Sequence, residues 1–531
     1  MSLRSNEYIK DITDFTEPTK NEKSEIIPFF AHTNILITGG TGFLGSLLIE
    51  KLLRSCPDIA KIYVIIRSKK GKTALERFHK IFEEVIYDKL RYKQINFLEK
   101  IVMLEGDATK DDYGLSSEDK NVLMNVNIIF HMAATVRFEE KLSTAININV
   151  KSTKFLLKFA QKLPNFKVFV HISTAFAPCT ENIIEEKHYK NTIDADKALE
   201  LLNIFDDKKL EQITPILLDK WPNTYIYSKA LGENMILKYS GNLPICIVRP
   251  SIITSTFNEP ICGWINNVYG VTGVITGSAL GLLHTLPCKS ENVAEIIPAD
   301  YVISNIICSA WDTVNRKLAI KSDQVLNLSD EERIPIYNCV SSCQNRITWG
   351  EMMKISEIYG LEIPSVKCIS YYNLTLNRYI FVHKIYALLL HIIPALIVDI
   401  VIYLIGRKPI LLSAYKKIHK FSNLIYYFSI NNWKFQNKNV INLWQKMNST
   451  DREIFCFNIE MLDWNEYFYQ ELRGIRYYLL NDSMDTIDAA RRKFQKLRIA
   501  YYTFNLAIIL LFLWIAFSFI NFLWSFCPLS H

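Results

Sequence analysis

The sequence ILITGGTGFLG, residues 35–45, decides the fold of this chain. An apolar run of strand length leads into the glycines, and the residues after them have helical spacing. Strand, tight turn and helix in this order are the context of a phosphate-binding turn. Gly39 permits the sharp turn, Gly42 leaves room for a pyrophosphate, and Gly45 lets the helix pack close to the strand. The free N–H groups at the helix start then face the anion.

The cofactor site predicted at this turn consists of Gly39, Thr41, Gly42, Phe43, Leu44 and Gly45. The glycine spacing is G-x-x-G-x-x-G rather than G-x-G-x-x-G, and a glycine pattern by itself is weak evidence. A glycine-rich turn without a cofactor is the alternative, and the rest of the chain decides between the two.

Apolar strands alternate with helical segments beyond the turn. The strands are predicted at 61–67, 101–107, 127–134 and 167–172, and a sixth ends at Arg249-Pro250. This alternation predicts an α/β protein with a Rossmann-type, doubly wound parallel sheet. Ligands of such a sheet bind outside the carboxyl ends of the strands, so the residues at those ends form the candidate site.

Arg67 ends the second strand, where this fold holds the adenosine ribose. An acidic residue there binds the ribose 2′-hydroxyl, whereas a cation suits a 2′-phosphate. Arg67, together with Lys69, Lys70 or Lys72, therefore favours NADPH over NADH. A solvated basic loop is the alternative interpretation.

Four further residues belong to the predicted cofactor site, which also includes Tyr225 and Lys229. Asp107, just past the third strand, is placed to accept a hydrogen bond from the adenine amino group. Small Ala133 and Ala134 at the end of the fourth strand let the backbone approach the cofactor. Asn149 belongs to the site from a position near the start of a helix predicted over 147–160.

The candidate catalytic residues are Tyr225, Lys229, Thr174 and Ser173. Tyr225 and Lys229 are one helical turn apart and share a face. An ammonium beside a phenol favours the phenolate, so we expect the tyrosine pKa to fall from about 10 toward a useful range. Such a tyrosine can donate a proton to a carbonyl oxygen that receives hydride, and the Thr174 or Ser173 hydroxyl can hold the same oxygen. Tyr227 points off that face.

The chain resembles the extended short-chain dehydrogenase/reductases over residues 30–300, through TGGTGFLG and the Tyr225/Lys229 pair. More narrowly, it resembles alcohol-forming fatty acyl-CoA reductases. The similar stretches are HMAATVRFEEKL (131–142), HISTAFAPC (171–179), NTYIYSKALGE (223–233), IVRPSII (247–253), GWINNVYGVTGVITGSALGLL (263–283) and NIEMLDWNEYFYQELRGIRYYLLND (458–482). The resemblance implies a fatty acyl-CoA substrate, a small C-terminal domain, and Pro250 on the nicotinamide side.

Three residues depart from that family's pattern without removing a catalytic group. They are Asn266 in place of aspartate, Ser152 in place of glycine and Phe176 in place of tyrosine. They bear on substrate preference rather than on chemistry. The stretch 264–283 is glycine-spaced and uncharged. We interpret it as an apolar wall for an acyl chain, with a packed core loop as the alternative.

Four parts of the chain are predicted. They are a flexible tail over 1–29, an NADPH-binding reductase domain with the substrate region over 30–365, a C-terminal reductase-like domain over 366–485 with a membrane-associated helix at 379–405, and a transmembrane anchor over 499–526.

The anchor is predicted from an uncharged stretch, 499–530, that follows the basic cluster 491–498. The positive side stays cytosolic, so the enzyme faces the cytosol. The apolar helix at 379–405 contains Lys384 and Asp399, which argue against full spanning. We predict an interfacial or hairpin helix there, with a buried core helix as the alternative. The basic stretch 407–420 suits anionic headgroups. We predict the endoplasmic reticulum membrane, with the peroxisomal membrane as the alternative.

Composition narrows the partners further. The 531 residues carry a net charge of only +7, and no basic run alternates with stacking aromatics, so we predict no nucleic-acid partner. The 11 cysteines form no C-x-x-C pair. We interpret them as reduced thiols in a cytosolic compartment and predict no metal site. The sequence is compatible with a homodimer and does not determine the oligomeric state.

Three functions compete at this point. The first is NADPH-dependent reduction of fatty acyl-CoA through an aldehyde to the alcohol, with release of CoA. The second is a membrane-bound extended dehydrogenase that acts on a sterol or sugar nucleotide with NAD; Arg67 counts against it. The third is a cofactor-binding membrane scaffold without catalysis, and the intact Tyr225/Lys229 pair counts against that.

Overall fold

The computed structural model describes residues 22–69, 71–189, 193–319 and 329–525. The chain divides into two compact units, each assembled from separate segments. Unit 1 contains the described residues up to 267 together with those of 291–348 and 427–471. Unit 2 contains those of 268–290, 349–426 and 472–525.

A seven-stranded sheet forms the centre of unit 1. Its strands are β1 (Asn34–Thr38), β2 (Lys61–Ile66), β3 (Ile101–Glu105), β4 (Ile128–His131), β5 (Val168–Ile172), β6 (Ile245–Pro250) and β7 (Ile336–Cys339). All neighbours pair in parallel in the order β7-β6-β5-β4-β1-β2-β3. The chain therefore starts in the middle of the sheet and winds outward to both edges, which confirms the predicted doubly wound fold.

Helices cover both faces of the sheet. The principal ones are α1 (Phe43–Ser55), α2 (Ser152–Ala160), α3 (Thr224–Tyr239) and α4 (Ala299–Ala319). Helix α4 packs on α1, β5 and β6, while α3 packs on α2. Alternate strand residues such as Leu36 and Ile129 join the core cluster formed with α2 and α3. Their buried neighbours Ile35 and Ile128 face the other side, because successive strand side chains point to opposite faces.

Shorter elements complete unit 1. The further helices are Ile26–Phe30, Ala74–Phe82, Asp88–Lys93, Ser117–Val122, Leu142–Ile146, Ala195–Ile204, Asp207–Leu218, Asp330–Arg333, Lys438–Lys446, Ser449–Ile454 and Trp464–Gly474, the last of which continues into unit 2. Two small parallel pairs join Ile252–Thr254 to Ile296–Pro298 and Ile183–Ile184 to Lys434–Phe435.

Unit 2 is mainly helical. Besides Gly270–Ala279 and Trp349–Glu362, it contains α5 (Ile380–Leu404), α6 (Leu411–Ile430, whose end lies in unit 1) and α7 (Ile487–Ser525). A parallel pair joins Thr285–Pro287 to Thr375–Asn377. This pairing draws 268–290 into unit 2, so the predicted boundary at residue 365 does not follow the compact units.

The predicted flexible tail over 1–29 is too long. Ile26 and Phe30 of the first helix are fully buried, and the Ser24 hydroxyl and Glu25 N–H donate to the Asp451 carboxylate at 2.5 and 2.9 Å. The ordered part of unit 1 therefore begins before residue 30, because these apolar side chains have a partner surface far along the chain. Residues 1–21 lie outside the described part.

Two secondary-structure predictions also differ from the structure. The helix predicted over 147–160 begins at Leu142 and includes a π-helical turn, Asn147–Lys151, before α2. Strand β7 was not predicted, because it has only four residues, contains the polar Asn338 and follows directly after Pro335.

Two helices of unit 2 carry the membrane predictions. Within the described residues, α5 is the one helix long and apolar enough to cross a membrane by length and composition. The predicted anchor lies in α7, whose stretch Leu513–Phe522 is apolar and exposed. Phe526, the end of that prediction, lies outside the described residues.

Candidate active site

The glycine-rich turn between β1 and α1 is closely packed against the end of β4. Gly39 has a φ of +74°, and a Cβ there would lie 2.8 Å from the Ala133 backbone nitrogen. A Cβ on Gly45 would lie 2.2 Å from the Gly39 carbonyl oxygen. Only glycine fits both positions. Gly42, directly before α1, is exposed and its N–H bonds the Gly39 carbonyl at 2.9 Å.

This turn suits the diphosphate of a dinucleotide. Thr41, Phe43 and Leu44 are partly exposed beside Gly42, at the N-terminus of α1. Side chains larger than hydrogen are excluded where the backbone must approach a ligand, and the helix start presents unbonded N–H groups. The six predicted turn residues thus form one continuous cradle.

Arg67 and Asp107 contact each other at the ends of β2 and β3. The guanidinium lies 3.4 Å from the Asp107 carboxylate, which also accepts the Thr109 N–H at 3.0 Å. Burial opposes ionisation of Asp107, but these hydrogen bonds and the Arg67 charge hold its pKa below the usual range. Asp107 is therefore ionised, and the two predicted adenosine-binding residues are adjacent.

Arg77 is a cation near this site that the sequence analysis missed. Its guanidinium donates to the Thr41 hydroxyl at 3.3 Å and to the Arg67 carbonyl. Burial and the neighbouring Arg67 charge lower its pKa. The Arg77 guanidinium thus connects the glycine-rich turn to Arg67, the residue after β2. The sequence signal that could have identified Arg77 is the helix Ala74–Phe82, which begins directly after the basic loop.

The basic loop itself is a tight backbone turn. Lys69 and Lys72 bond each other through their main chains, and both side chains are exposed. Lys70 lies outside the described residues. Of the predicted cations here, Arg67 contacts another predicted site residue, Asp107.

Ala133, Ala134 and Asn149 have different environments. The two alanines are partly exposed beyond β4, next to the glycine-rich turn. Asn149 is buried, donates to the Ser228 hydroxyl at 2.8 Å and accepts the Thr135 N–H at 3.2 Å. Its side chain therefore ties α3 to the chain after β4.

Tyr225 and Thr174 bring two hydroxyl groups together at the end of β5. The Thr174 hydroxyl is close enough to the Tyr225 phenol to lower its pKa, and the Tyr225 ring stacks on Phe138 at 6.0 Å between centroids. Burial raises the pKa of Tyr225 to about 12, while the Thr174 hydroxyl opposes this rise. The predicted lowering of the Tyr225 pKa by Lys229 is wrong for this structure, because burial of the phenol disfavours the phenolate and raises that pKa.

Lys229 is held by the strand that carries Thr174. Its ammonium donates to the Ile172 carbonyl at 2.5 Å. Burial lowers its pKa to about 8, and the neighbouring Glu233 charge opposes that shift. At neutral pH the lysine is thus charged and the tyrosine protonated. The pair is arranged as an acid with a cation beside it.

Ser173 does not face the Tyr225 phenol. Its hydroxyl donates to the Glu233 carboxylate at 2.5 Å. The same carboxylate accepts from the fully buried Arg249 at 2.9 and 2.5 Å. Ser173, Glu233 and Arg249 therefore join β5, α3 and β6, and Thr174 alone remains to share the oxygen with Tyr225.

Pro250 and Tyr227 are both buried in the packed interior of unit 1. Pro250 is buried at the end of β6, and its carbonyl accepts the Ala175 N–H at 2.9 Å. Tyr227 is buried against Trp221, with ring centroids 5.6 Å apart. Tyr227 is thus a core residue, as its register predicted.

An aromatic cluster beside Tyr225 was not predicted. Phe428 contacts both Phe138 and Phe176, and Phe176 also contacts Trp433. The predicted wall over 264–283 is split instead. Trp264 stacks on Phe43 of the turn at 5.2 Å, whereas the residues after 267 belong to unit 2.

The strand order brings these groups to one edge of the sheet. Strand β4 lies between β5, which carries Thr174, and β1, which leads into the glycine-rich turn. The alanines after β4 therefore separate the Tyr225/Lys229 pair from the diphosphate cradle by one strand. A nicotinamide ring and a carbonyl substrate have their predicted places along this edge.

We expect Glu233→Gln to lower the stability of unit 1 sharply. Removing one partner of a buried ion pair costs about 3–5 kcal/mol, because the other charge stays buried. Thermal unfolding of the purified chain measures this. Lys141→Gln is the control, since Lys141 pairs with Asp207 at the surface and such pairs contribute little. Equal melting temperatures for both variants would contradict the assigned role.

Two family models match the chain. The NAD-binding model described as "Male sterility protein" matches residues 37–306, and the Sterile model with the same description matches 390–482. The first covers the end of β1, the strands β2 to β6 and every predicted site residue. The dinucleotide cofactor is therefore a nicotinamide one.

Solved structures show the same fold. The R domain of a nonribosomal peptide synthetase from Mycobacterium tuberculosis aligns with a TM-score of 0.53 at 16% identity, covering 90% of this chain and 97% of that domain. The terminal R domain of the myxalamid pathway aligns with a TM-score of 0.52 at 19% identity, covering 89% and 97%.

Sequence relatives are closer. Fatty acyl-CoA reductase wat of Drosophila melanogaster is 37% identical over 483 residues, which is 91% of each chain. Fatty acyl-CoA reductase 1 of Homo sapiens is 35% identical over 487 residues, which is 91% of this chain and 92% of the human one. Because these relatives match over 91% of this chain at 35–37% identity, the chain belongs to the fatty acyl-CoA reductase family.

Proposed function

We propose that this enzyme reduces long-chain fatty acyl-CoA to the fatty alcohol with NADPH, through an aldehyde and with release of CoA. The observation that carries the proposal is that the Tyr225 phenol lies near the Thr174 hydroxyl, one helical turn before Lys229, whose ammonium is bonded to the Ile172 carbonyl. The names of the relatives supply the substrate class.

The geometry supports a separate chemical role for each of three residues. Tyr225 and Thr174 hold the carbonyl oxygen, and Tyr225 donates a proton to it. The Lys229 ammonium favours the negative charge that develops on that oxygen. Reduced nicotinamide, when bound along the cradle, supplies hydride. In the first reduction the carbon–sulfur bond breaks and CoA leaves with a proton; in the second the aldehyde becomes the alcohol at the same residues.

An acyl chain finds an apolar surface next to these hydroxyls. Phe138 stacks on Tyr225, and Phe428 packs on Phe138. Phe176 adds an apolar ring to the same cluster. These rings favour a hydrocarbon chain over a sugar nucleotide, whose hydroxyls need hydrogen-bond partners.

For the cofactor we propose NADPH rather than NADH. Arg67, the residue after β2, and Arg77, which connects it to the glycine-rich turn, present two cations. A ribose 2′-phosphate is the anion that such guanidinium groups bind well, whereas a bare ribose needs an acidic acceptor.

For location we propose the cytosolic face of the endoplasmic reticulum membrane, anchored by α7. The exposed apolar stretch of α7 follows the basic residues of 491–498. That order matches a span whose positive side stays cytosolic.

The first test is product analysis. Purified full-length protein in detergent, given palmitoyl-CoA and NADPH, should yield hexadecanol and free CoA. Tyr225→Phe should lower the rate by about 100- to 10,000-fold, because only the proton donor is lost. Tyr227→Phe is the matched control and should change it little. A product that stops at the fatty acid, or a wild-type rate for Tyr225→Phe, would refute the mechanism.

The pH dependence tests the role of Lys229. The pKa of Lys229 is lowered to about 8, so the ammonium is lost as the pH rises through that value. Tyr225 stays protonated there, because its pKa is about 12. We therefore expect kcat/KM to fall on the alkaline side with a midpoint near 8. The residual activity of Lys229→Met should no longer fall on the alkaline side of the pH profile. If kcat/KM of this variant still fell with a midpoint near 8, the fall would belong to another group.

Cofactor choice tests Arg67. Arg67→Ala should weaken NADPH about tenfold or more while sparing NADH, since a charged hydrogen bond is worth about 1.5–3 kcal/mol. Fluorescence titration of both cofactors measures this without turnover. Lys69→Ala is the control on the same loop. An equal loss for both cofactors would show that Arg67 does not bind the 2′-phosphate.

Membrane fractionation tests the anchor. A chain ending before Ile499 should be stripped from membranes by carbonate, whereas the full chain stays in the pellet. The truncated form should keep activity on a soluble short acyl-CoA, since all proposed catalytic residues precede 251. Carbonate resistance of the truncated form would assign the anchoring to another segment.

A further inference from the structure

Helix α5 in unit 2 has inverted polarity. Throughout this fully described helix, the buried residues are His383, Ala387, His391, Ala395 and Asp399, four residues apart. The outward face carries large apolar side chains, more than a third exposed: Phe381, Ile385, Leu388, Leu389, Leu396, Ile397, Ile400, Val401 and Leu404. A helix in water shows the opposite pattern.

The polar residues of the inward stripe have specific hydrogen-bonding and stacking partners within unit 2. His383 shares a hydrogen bond with the Thr285 hydroxyl at 3.0 Å, and His391 accepts the His284 N–H at 2.9 Å. The Tyr415 ring stacks on His391 at 4.8 Å. These contacts hold the polar side of α5 against the rest of unit 2. The apolar side, on the opposite face of the helix, therefore points outward.

The carboxylate of Asp399 is stable in this apolar helix because it has three hydrogen-bond donors from the chain that follows. It accepts the N–H groups of Ile410, Leu411 and Leu412 at 3.1, 3.0 and 2.9 Å. These are unbonded donors at the start of α6, so Asp399 acts as a cap for the next helix. Gly406, with a φ of +76°, forms the turn between the two helices.

Helices α5 and α6 therefore form an antiparallel hairpin. Asp399 contacts the start of α6, His391 contacts Tyr415, and His383 lies near His419. The lysines of α6 at 416 and 417 are exposed and follow directly after Tyr415. They thus lie beside the middle of α5.

We propose that this hairpin lies in the surface of an anionic phospholipid bilayer without crossing it, as a membrane contact additional to α7. The apolar face of α5 enters the acyl-chain boundary, and Arg407, Lys408, Lys416 and Lys417 contact anionic headgroups. A crossing α5 would carry Lys416 and Lys417 to the bilayer centre, at about 2.5–3.5 kcal/mol each. Lys384, in the second turn of α5, reaches the headgroup level by extending its side chain.

Cysteine accessibility in the full chain tests this topology. Ile397→Cys and Val401→Cys report on the apolar face, Lys408→Cys on the turn, and Lys417→Cys is the matched control on α6. Each variant is expressed in sealed microsomes with the cytosolic side out and treated with a membrane-impermeant maleimide. Mass spectrometry of the labelled peptide distinguishes each position from native cysteines, and a wild-type limited-proteolysis pattern confirms folding.

We expect Lys408→Cys and Lys417→Cys to react equally with and without detergent. Ile397→Cys and Val401→Cys should react about tenfold more slowly until detergent is added, because each unit of rise in thiol pKa removes about nine-tenths of the reactive thiolate. Protection of Lys408→Cys until detergent would show that α5 crosses. Rapid labelling of both apolar-face cysteines would show a water-exposed face, and protection that survives detergent would show a protein partner. Each of these three results overturns the proposal, which does not depend on the reductase chemistry.

Discussion

The buried ion pair between Glu233 and Arg249 is the interaction on which the active site depends. Its hydrogen bonds of 2.9 and 2.5 Å join α3, which carries Tyr225 and Lys229, to β6. Ser173 attaches β5 to the same carboxylate. A buried charge pair tolerates little displacement, because either charge left alone is costly. The catalytic helix is therefore held in one register against the sheet.

That register determines the protonation states in the site. Lys229 donates to the Ile172 carbonyl within a buried environment that lowers its pKa to about 8. The same environment raises the pKa of Tyr225 to about 12. Burial disfavours both charged forms, yet at neutral pH the lysine keeps its charge and the tyrosine keeps its proton. Those are the states that reduction of a carbonyl requires of an acid and a neighbouring cation.

Unit 2 follows a different physical rule. In α5 the residues that pack inward are histidine, alanine and aspartate, and those that face outward are leucine, isoleucine and valine. Hydrogen bonds from Thr285, His284 and the start of α6 make this arrangement specific. A continuous apolar outward face of this size is the feature from which the membrane contact of the hairpin is proposed.

The sequence by itself determined the parallel sheet, the glycine-rich turn and the Tyr225/Lys229 pair, because short-range spacing encodes strand, turn and helical face. Thr174 followed from its place at a strand end. Tertiary structure alone decided the rest. Arg77 donates a hydrogen bond to Thr41, Phe428 packs on Phe138, and Ser173 donates a hydrogen bond to Glu233. Each partner is distant in the chain, and the direction of the Tyr225 pKa shift depends on burial that no local spacing records.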